Sequence, residues 1–367
     1  MSPTPLHHER IATLIRKQIE DGLLKKGDRI PGEPQLAKHF QVSRPTVARA
    51  LKTLGEENLL MRRNGSGTYV TYQFEKKIQS GPYTMGLLVP ELGDIEIFEP
   101  IAQSITEAAA KSGHTLLHAE TGDYRKPGWE KRILSVCRDY VKRHVHGVFY
   151  APIEGTPAMD ATNQKVKRFF AETNVPVVLL DRDYEHFPRR SPHDLVGFDN
   201  FLAAFLLTEH LIRKGSRRIV FFAQPHSAAT VDQRMTGWRE ACLLHHVPTN
   251  SEPATIIADP RDLLTIKDHL VRTKPNGILC ANDQTAALLL DTLAALKIRV
   301  PEDIRVAGID DARSAQLARV PLTTARQPCA AIGLCSFDML LSRIKHPELP
   351  HRIMRLAPEV VLRQSTQ

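Results

Sequence analysis

A chain of 367 residues is long for one domain and ample for two, or for three lobes around two cores; with 42% hydrophobic and 25% charged residues, no segment is biased enough to read as disordered. The net charge of +8 suggests a polyanionic partner, and its distribution sharpens the point, because residues 1–77 hold 14 Lys/Arg against 8 Asp/Glu while the remainder is nearly balanced. Five scattered cysteines without a C-x-x-C pair argue against a disulfide framework or a zinc site, and neither an export signal nor a run of about eighteen apolar residues is present, so a cytoplasmic protein without membrane contact is expected.

Taken in chain order, residues 6–24 place Ile11, Leu14, Ile15 and Ile19 at helical spacing, and Gly22 and Gly27 punctuate the end. A second short helix is expected over 33–39. Ser43 caps a third over 44–57, whose apolar face carries Val47, Ala50, Leu51 and Leu54 while Arg44, Thr46 and Arg49 turn toward other faces. Two strand-like runs, 59–62 and 68–71, flank Arg63-Asn64-Gly65-Ser66-Gly67. Helices followed by a small hairpin make a winged helix-turn-helix over residues 1–72. Residues 73–83 are polar, carry Ser-Gly-Pro, and are expected to link it to a larger body over 84–367. There, apolar runs at 85–89, 115–119, 146–151, 176–180, 218–223, 254–258, 277–280 and 304–309 alternate with helical stretches such as 98–112, 129–143, 200–214, 231–246, 261–273 and 283–297. Repeated βα units predict an α/β body with parallel, doubly wound sheets, and this many strands suits two lobes better than one sheet.

The run I-P-G-E-P-Q-L-A-K-H-F-Q-V-S-R-P-T-V-A-R-A-L followed by N-G-S-G-T-Y-V resembles the GntR-type winged-helix family over residues 6–71. The resemblance makes 44–57 a recognition helix whose N-terminal end enters the major groove. The chemistry agrees: a helix N-terminus suits phosphate, Ser43 and Thr46 offer neutral donors, and the fork of Arg44 fits guanine or phosphate. Arg49 is a further phosphate candidate, Arg62 and Arg63 flank the wing tip, and Gly65 and Gly67 let backbone approach the minor-groove edge. The plain alternative for each is a solvated basic surface residue. Two positions depart from the family, which often carries Arg where this chain has Pro34 and Ala48, leaving Arg49 or Lys52 to supply part of the phosphate contact.

From about residue 84 onward the chain resembles the effector domain of the LacI family, a two-lobed, Rossmann-like fold shared with periplasmic sugar-binding proteins. The matching stretches are L-L-D-R-D (179–183), V-G-F-D-N (196–200), H-L-I-R-K-G-S-R-R-I (210–219), R-M-T-G-W (234–238), A-N-D-Q-T-A (281–286), V-P-E-D-I-R-V-A-G-I-D-D (300–311) and P-L-T-T (321–324). A GntR-type head on such a body is the pairing of arabinose-repressor-type regulators. A sugar needs acceptor carboxylates, a forked Arg, Asn and an aromatic wall, gathered at the carboxyl ends of strands between lobes. The resemblance carries sugar contact onto Arg234, Asn282, Asp310 and Asp181, and Phe98 and Tyr150 are the candidate walls. Plain readings compete: Asp283, Asp199 and Asn200 as helix N-caps, and Trp238 as core. His118, His226, His245 and His246 lack metal-ligand spacing, and no metal or cofactor is expected.

An enzyme is the first rival, yet G-x-S-x-G, Walker A, G-x-G-x-x-G and H-E-x-x-H are all absent. A transport binding protein is the second, and the basic head argues against it. The sequence therefore predicts a homodimeric, ligand-controlled repressor of carbohydrate-utilisation genes that binds double-stranded operator DNA and a sugar or sugar derivative. A purine or another metabolite stands as the alternative effector.

Overall fold

The computed structural model describes residues 7–20, 23–63, 66–71, 81–89, 96–119, 126–153, 156–185, 189–248 and 254–367. The chain divides into two units, Met1–Gly81 and Pro82–Gln367. In the first, the helical spacings form α1 (His7–Glu20), α2 (Glu33–Phe40) and α3 (Arg44–Glu56), interleaved with β1 (Arg29–Ile30), β2 (Leu60–Arg63) and β3 (Gly67–Val70). The three strands make an antiparallel sheet in the order β1-β3-β2. Ile11, Ile15 and Ile19 of α1 pack with Val47, Ala50 and Leu54 of α3 and with Ile30, Leu60 and Val70 of the sheet. Each such side chain contributes about 1.5–3 kcal/mol when fully buried. Leu14, expected on this apolar face, instead lies on its flank, 47% exposed. The bidentate Arg16–Glu57 pair, at 2.6 to 3.0 Å, ties α1 to the end of α3.

In the second unit, short runs buried on both faces become strands and the stretches between them helices. The elements are β4 (Thr84–Leu88), α4 (Phe98–Lys111), β5 (Thr115–His118), α5 (Trp129–Lys142), β6 (Gly147–Tyr150), α6 (Pro157–Thr173), β7 (Val177–Leu180) and β8 (Asp194–Phe198). They continue as α7 (Asn200–Arg213), β9 (Ile219–Ala223), α8 (Thr230–Leu244), β10 (Thr255–Ile257), α9 (Leu263–Thr273), β11 (Gly277–Cys280), α10 (Asp283–Ala295) and β12 (Arg305–Ala307). The chain ends with α11 (Arg313–Leu317), β13 (Thr324–Arg326), α12 (Cys329–Lys345), β14 (Ile353–Leu356) and β15 (Glu359–Val361). A six-stranded parallel sheet runs β14-β8-β7-β6-β4-β5 and a four-stranded parallel sheet runs β10-β9-β11-β12, the two lobes expected of an α/β body.

Three passages of chain join the lobes. The first leads from β8 into α7, which packs on α8 in the second lobe; the second leads from β13 into α12, which packs on α4 and the first sheet; the third leads from β14 to β15, which pairs with β13. Gly333 explains how α12 reaches α4, since a Cβ there would crowd the Ile101 carbonyl at 2.6 Å. A buried ion pair fixes the return. Arg343 of α12 donates to Asp194 of β8 at 2.8 and 3.0 Å and to the carbonyls of Pro347, Leu349 and Pro350, while the Arg352 amide donates to Asp194 at 2.7 Å. Every guanidinium N–H of Arg343 and both oxygens of Asp194 find a partner, the condition under which buried charge is tolerated.

Candidate functional site

On the first unit, Ser43 takes the N-cap position of α3 with extended backbone, but its hydroxyl does not cap; it bonds the Thr46 hydroxyl at 2.8 Å. Arg44 and Arg49 are exposed, and among the described residues neither side chain is paired with a carboxylate. Arg62 lies 3.4 Å from Glu33 across a largely exposed gap, a contact of little energetic weight. Arg63 lies over the Tyr69 ring at 5.2 Å. Gly65 is outside the described residues, as is 73–80 of the expected linker. Gly67 has φ +125°, a conformation that calls for glycine, whereas the nearest atoms to a Cβ there belong to the movable Arg29 side chain. Pro34, where the family often has Arg, occupies the first turn of α2, a position that costs a helix nothing.

On the second unit, a cavity of about 220 Å³ is lined by Asp181 and Arg182 after β7, Glu96 and Ile97 ahead of α4, Arg234 of α8, Asn282 ahead of α10, and Asp310 after β12. Arg234, only 5% exposed, organises one wall. Its Nε donates to Asn200 Oδ1 at 2.7 Å, one Nη to the Ala281 carbonyl at 2.6 Å, and the other Nη to Asp310 Oδ1 at 3.0 Å. Gly237, one turn on, brings α8 against α7, because a Cβ there would overlap the Phe201 carbonyl. The α7–α8 contact thus sets where Arg234 emerges.

Asp310 Oδ1 also accepts from Gln327 Nε2 at 2.7 Å, and the residue holds φ +124°, outside the range an L-residue prefers. Its backbone is pinned by Asp310 N to the Ala325 carbonyl and Gln327 N to the Asp310 carbonyl. Asp311 beside it (φ +53°) accepts from Arg326 and Arg363 at 2.7 and 2.6 Å. Strain held by surrounding bonds is common where a ligand is gripped. Burial raises the Asp310 carboxyl, opposed by Arg234 and Gln327. Behind it, burial and then the Asp310 charge push the fully buried Asp283 carboxyl up to about 8, although the Thr324 hydroxyl and Ala312 amide donate to it at 2.7 and 3.0 Å.

Across the cavity, Asp181 sits at φ +67°, and its Oδ2 accepts from Arg182 Nε at 3.1 Å. Its Oδ1 is buried and receives no hydrogen bond among the described residues. An unpaired buried carboxylate oxygen calls for a donor, and the cavity is where one can enter. The Asn282 side chain caps α10 by accepting from Thr285 N at 2.8 Å. The cap expected of Asp283 is therefore made by its neighbour, and Asp283 points inward instead. Asp199 does cap α7, through Leu202 N at 3.0 Å, whereas Asn200 orients Arg234. Trp238 is core, against Phe221.

The structure brings Asp181, Arg234, Asn282 and Asp310 to one cavity and leaves the two expected aromatic walls off it. Phe98 is buried beneath Arg182, whose guanidinium carbon stands 5.2 Å from the ring centroid. Tyr150 is buried in the first lobe, its hydroxyl donating to Asn163 at 2.6 Å, because the ring turns into the sheet's packed face rather than toward the strand's end. Sequence reasoning missed Arg182, Gln327 and Glu96, whose Oε2 accepts from Ser314 N at 3.4 Å and so joins the two lobes at the cavity's edge. The L-L-D-R-D stretch held the signal for Arg182. Among the described residues no group of three His, Cys, Asp or Glu could hold a metal ion, and no helix is long and apolar enough to cross a membrane.

Residues 7–70 match the bacterial regulatory proteins of the gntR family, and residues 208–366 match the periplasmic binding protein-like domain. The arabinose metabolism transcriptional repressor of Geobacillus stearothermophilus is 30% identical over 363 residues, spanning 96% of this chain and 95% of that protein. Among solved structures, the complex of the transcriptional regulator CelR with cellobiose aligns with a TM-score of 0.65 at 23% identity, covering 89% of this chain and 92% of that one. The lac repressor dimer bound to operator and an anti-inducer aligns with a TM-score of 0.62 at 21% identity, covering 78% and 95%.

Proposed function

Because this chain belongs to the family of GntR-headed, arabinose-repressor-type transcriptional regulators, we propose that a sugar or sugar derivative binds the cavity between its lobes and thereby sets the affinity of its head for operator DNA. One observation carries the reading: a buried, donor-less oxygen of Asp181 in one lobe stands across the cavity from the Arg234–Asp310 pair of the other. Acceptors and a forked donor on opposing walls suit a ligand dense in hydroxyls.

The head is residues 1–72, the linker 73–83 and the effector body 84–367. Ser43, Arg44, Thr46, Arg49, Arg62, Arg63 and Gly65 meet DNA, and the effector is held by Asp181, Arg234, Asn282 and Asp310. A ligand touching both lobes binds the closed form better than the open one, and only that difference can shift the population. The coupling is expected at about 1–3 kcal/mol. The protein acts as a non-catalytic cytoplasmic homodimer on a near-palindromic operator, the arrangement a twofold protein reads.

A thermal-shift screen of the full chain against monosaccharides and their derivatives tests the effector class, since a specific ligand raises the melting temperature by mass action. A purine that outperforms every sugar overturns it. Calorimetry with and without operator then tests the coupling: by reciprocity the effector's affinity must change by the factor it imposes on DNA, and equal affinities refute the linkage.

A further inference from the structure

We infer that the effector cleft has an anion-binding subsite, formed by Arg190 and Arg355 beside the Asp181–Arg182 pair, and that the effector is a sugar derivative whose anionic group, a carboxylate or a phosphate, occupies it. This deepens the reading of the cleft as an effector site and rests on it. A second, smaller cavity of about 30 Å³ shares Asp181, Arg182 and Thr230 with the main one, and Arg190 and Arg355 stand on its solvent-facing side. The carboxylates around it each hold at least one donor, Asp181 through Oδ2 alone. Asp181 accepts from Arg182 at 3.1 Å, Asp183 from the amides of Glu185 and Ser191 at 3.1 Å each, and Glu185 from Lys167 at 2.7 Å and Gln164 at 3.4 Å. Asp199, the other carboxylate near Arg355, is engaged as the cap of α7.

Among the described residues, neither the Arg190 nor the Arg355 side chain has an ion-pair or hydrogen-bond partner. Two like charges therefore line one cavity, and neither makes an ion pair among the described residues. Consistent with that, burial and then the charge of Arg190 hold the Arg355 guanidinium below its ordinary value. Guanidinium forks match carboxylate and phosphate oxygens alike, so either anion suits the subsite. The hydroxyls of the same ligand are left for Asp181, Arg234 and Asp310.

The test is calorimetry on the full chain with galactose, glucose and arabinose, with galacturonate, glucuronate, gluconate and arabinonate, and with glucose 6-phosphate. The expected result is that one acid, or the phosphate ester, binds about ten- to a hundredfold more tightly than its neutral parent, the scale of one charge-assisted bond. The double variant R190Q/R355Q, with both changes at exposed positions, should erase that preference while keeping the melting temperature and the weaker affinity for the parent sugar. A neutral sugar that binds as well as its anionic derivatives, or an anion preference that survives the double variant, overturns the inference and leaves the cleft an effector site, and whichever of acid or ester binds best names the anion. A panel in which nothing binds overturns both.

Discussion

Replacing Asp310 by asparagine separates its two roles, as an organiser of Arg234 and as an acceptor for ligand. Asp310 Oδ1 holds Arg234 at 3.0 Å and Gln327 at 2.7 Å, and an amide oxygen in the same place can keep both bonds. What goes is the negative charge: Arg234 stays charged and keeps its hydrogen bond, so the variant should lose only the ion-pair part of the Arg234 contact, on the order of 1 kcal/mol. Part returns, because the Asp310 charge is one of the causes that raise Asp283, and neutralising it relieves that repulsion. The fold should therefore survive with little net change. Ligand binding should not. The second oxygen becomes an NH2 that donates, so a hydroxyl loses a charged acceptor, at a cost of about 1.5–3 kcal/mol, or about ten- to 150-fold in Kd. Calorimetry with the sugar found by thermal shift reads the loss, and a mobility shift without sugar should show operator affinity unchanged. Asp310→Ala should be less stable than Asp310→Asn, since it leaves the nearly buried Arg234 short of an acceptor. An intact Asp310→Asn protein that binds the sugar as the wild type does would refute the reasoning, and so would an alanine variant as stable as the asparagine one.

Arg44→Ala should weaken operator binding by about 1–3 kcal/mol and leave the melting temperature unchanged, because the side chain is exposed and unpaired among the described residues; a mobility-shift titration decides. Arg343→Ala should cost about 3–5 kcal/mol in denaturant unfolding, because it strands a buried carboxylate at Asp194. Burial alone would raise Asp194, but Arg343 and Arg352 hold it below its ordinary value, so the stability it supplies is present above the usual carboxylate range and is lost as pH falls through its folded value. Melting curves across acid pH should show that loss in the wild type and not in the variant. Asp283 has the opposite sign: a carboxyl raised to about 8 makes the folded state bind the extra proton, so its contribution disfavours folding increasingly from about pH 4 to about pH 8. Asp283→Asn should flatten that slope, and melts at pH 5 and pH 8 that keep the wild-type difference would count against it.

The βα rhythm of the body was legible because parallel strands buried on both faces, such as β6, β7 and β11, read as unbroken apolar runs. Among the elements that escaped, β8 is buried throughout but its run is broken by Asp194 and Gly197, and two others lack the signature altogether. β1 has two residues, too few to show a period, and β14 is an edge strand with mostly exposed residues whose partner β8 lies far back in the chain. The carboxylates of the cleft were legible by position, since Asp181 and Asp310 follow strand ends where a ligand between lobes must lie. Side-chain direction was not legible, and the aromatics show why. Phe98 and Tyr150 also stand at strand or helix ends, yet Asn163 satisfies the tyrosine hydroxyl inside the lobe and Arg182 covers the phenylalanine.

The Asn282–Asp283 pair shows the same limit at one helix end. Both residue types cap helices well, so local preference cannot choose between them. The choice is made at long range: Asp283 N donates to the Ile309 carbonyl, and its carboxylate takes Thr324 and the Ala312 amide. Those three bonds come from residues 26 to 41 positions away in the chain, and they turn Asp283 into the core beneath Asp310. Asn282 is left to cap the helix with its oxygen, and among the described residues its amide nitrogen makes no hydrogen bond, so that group on the cavity wall is free to meet a ligand.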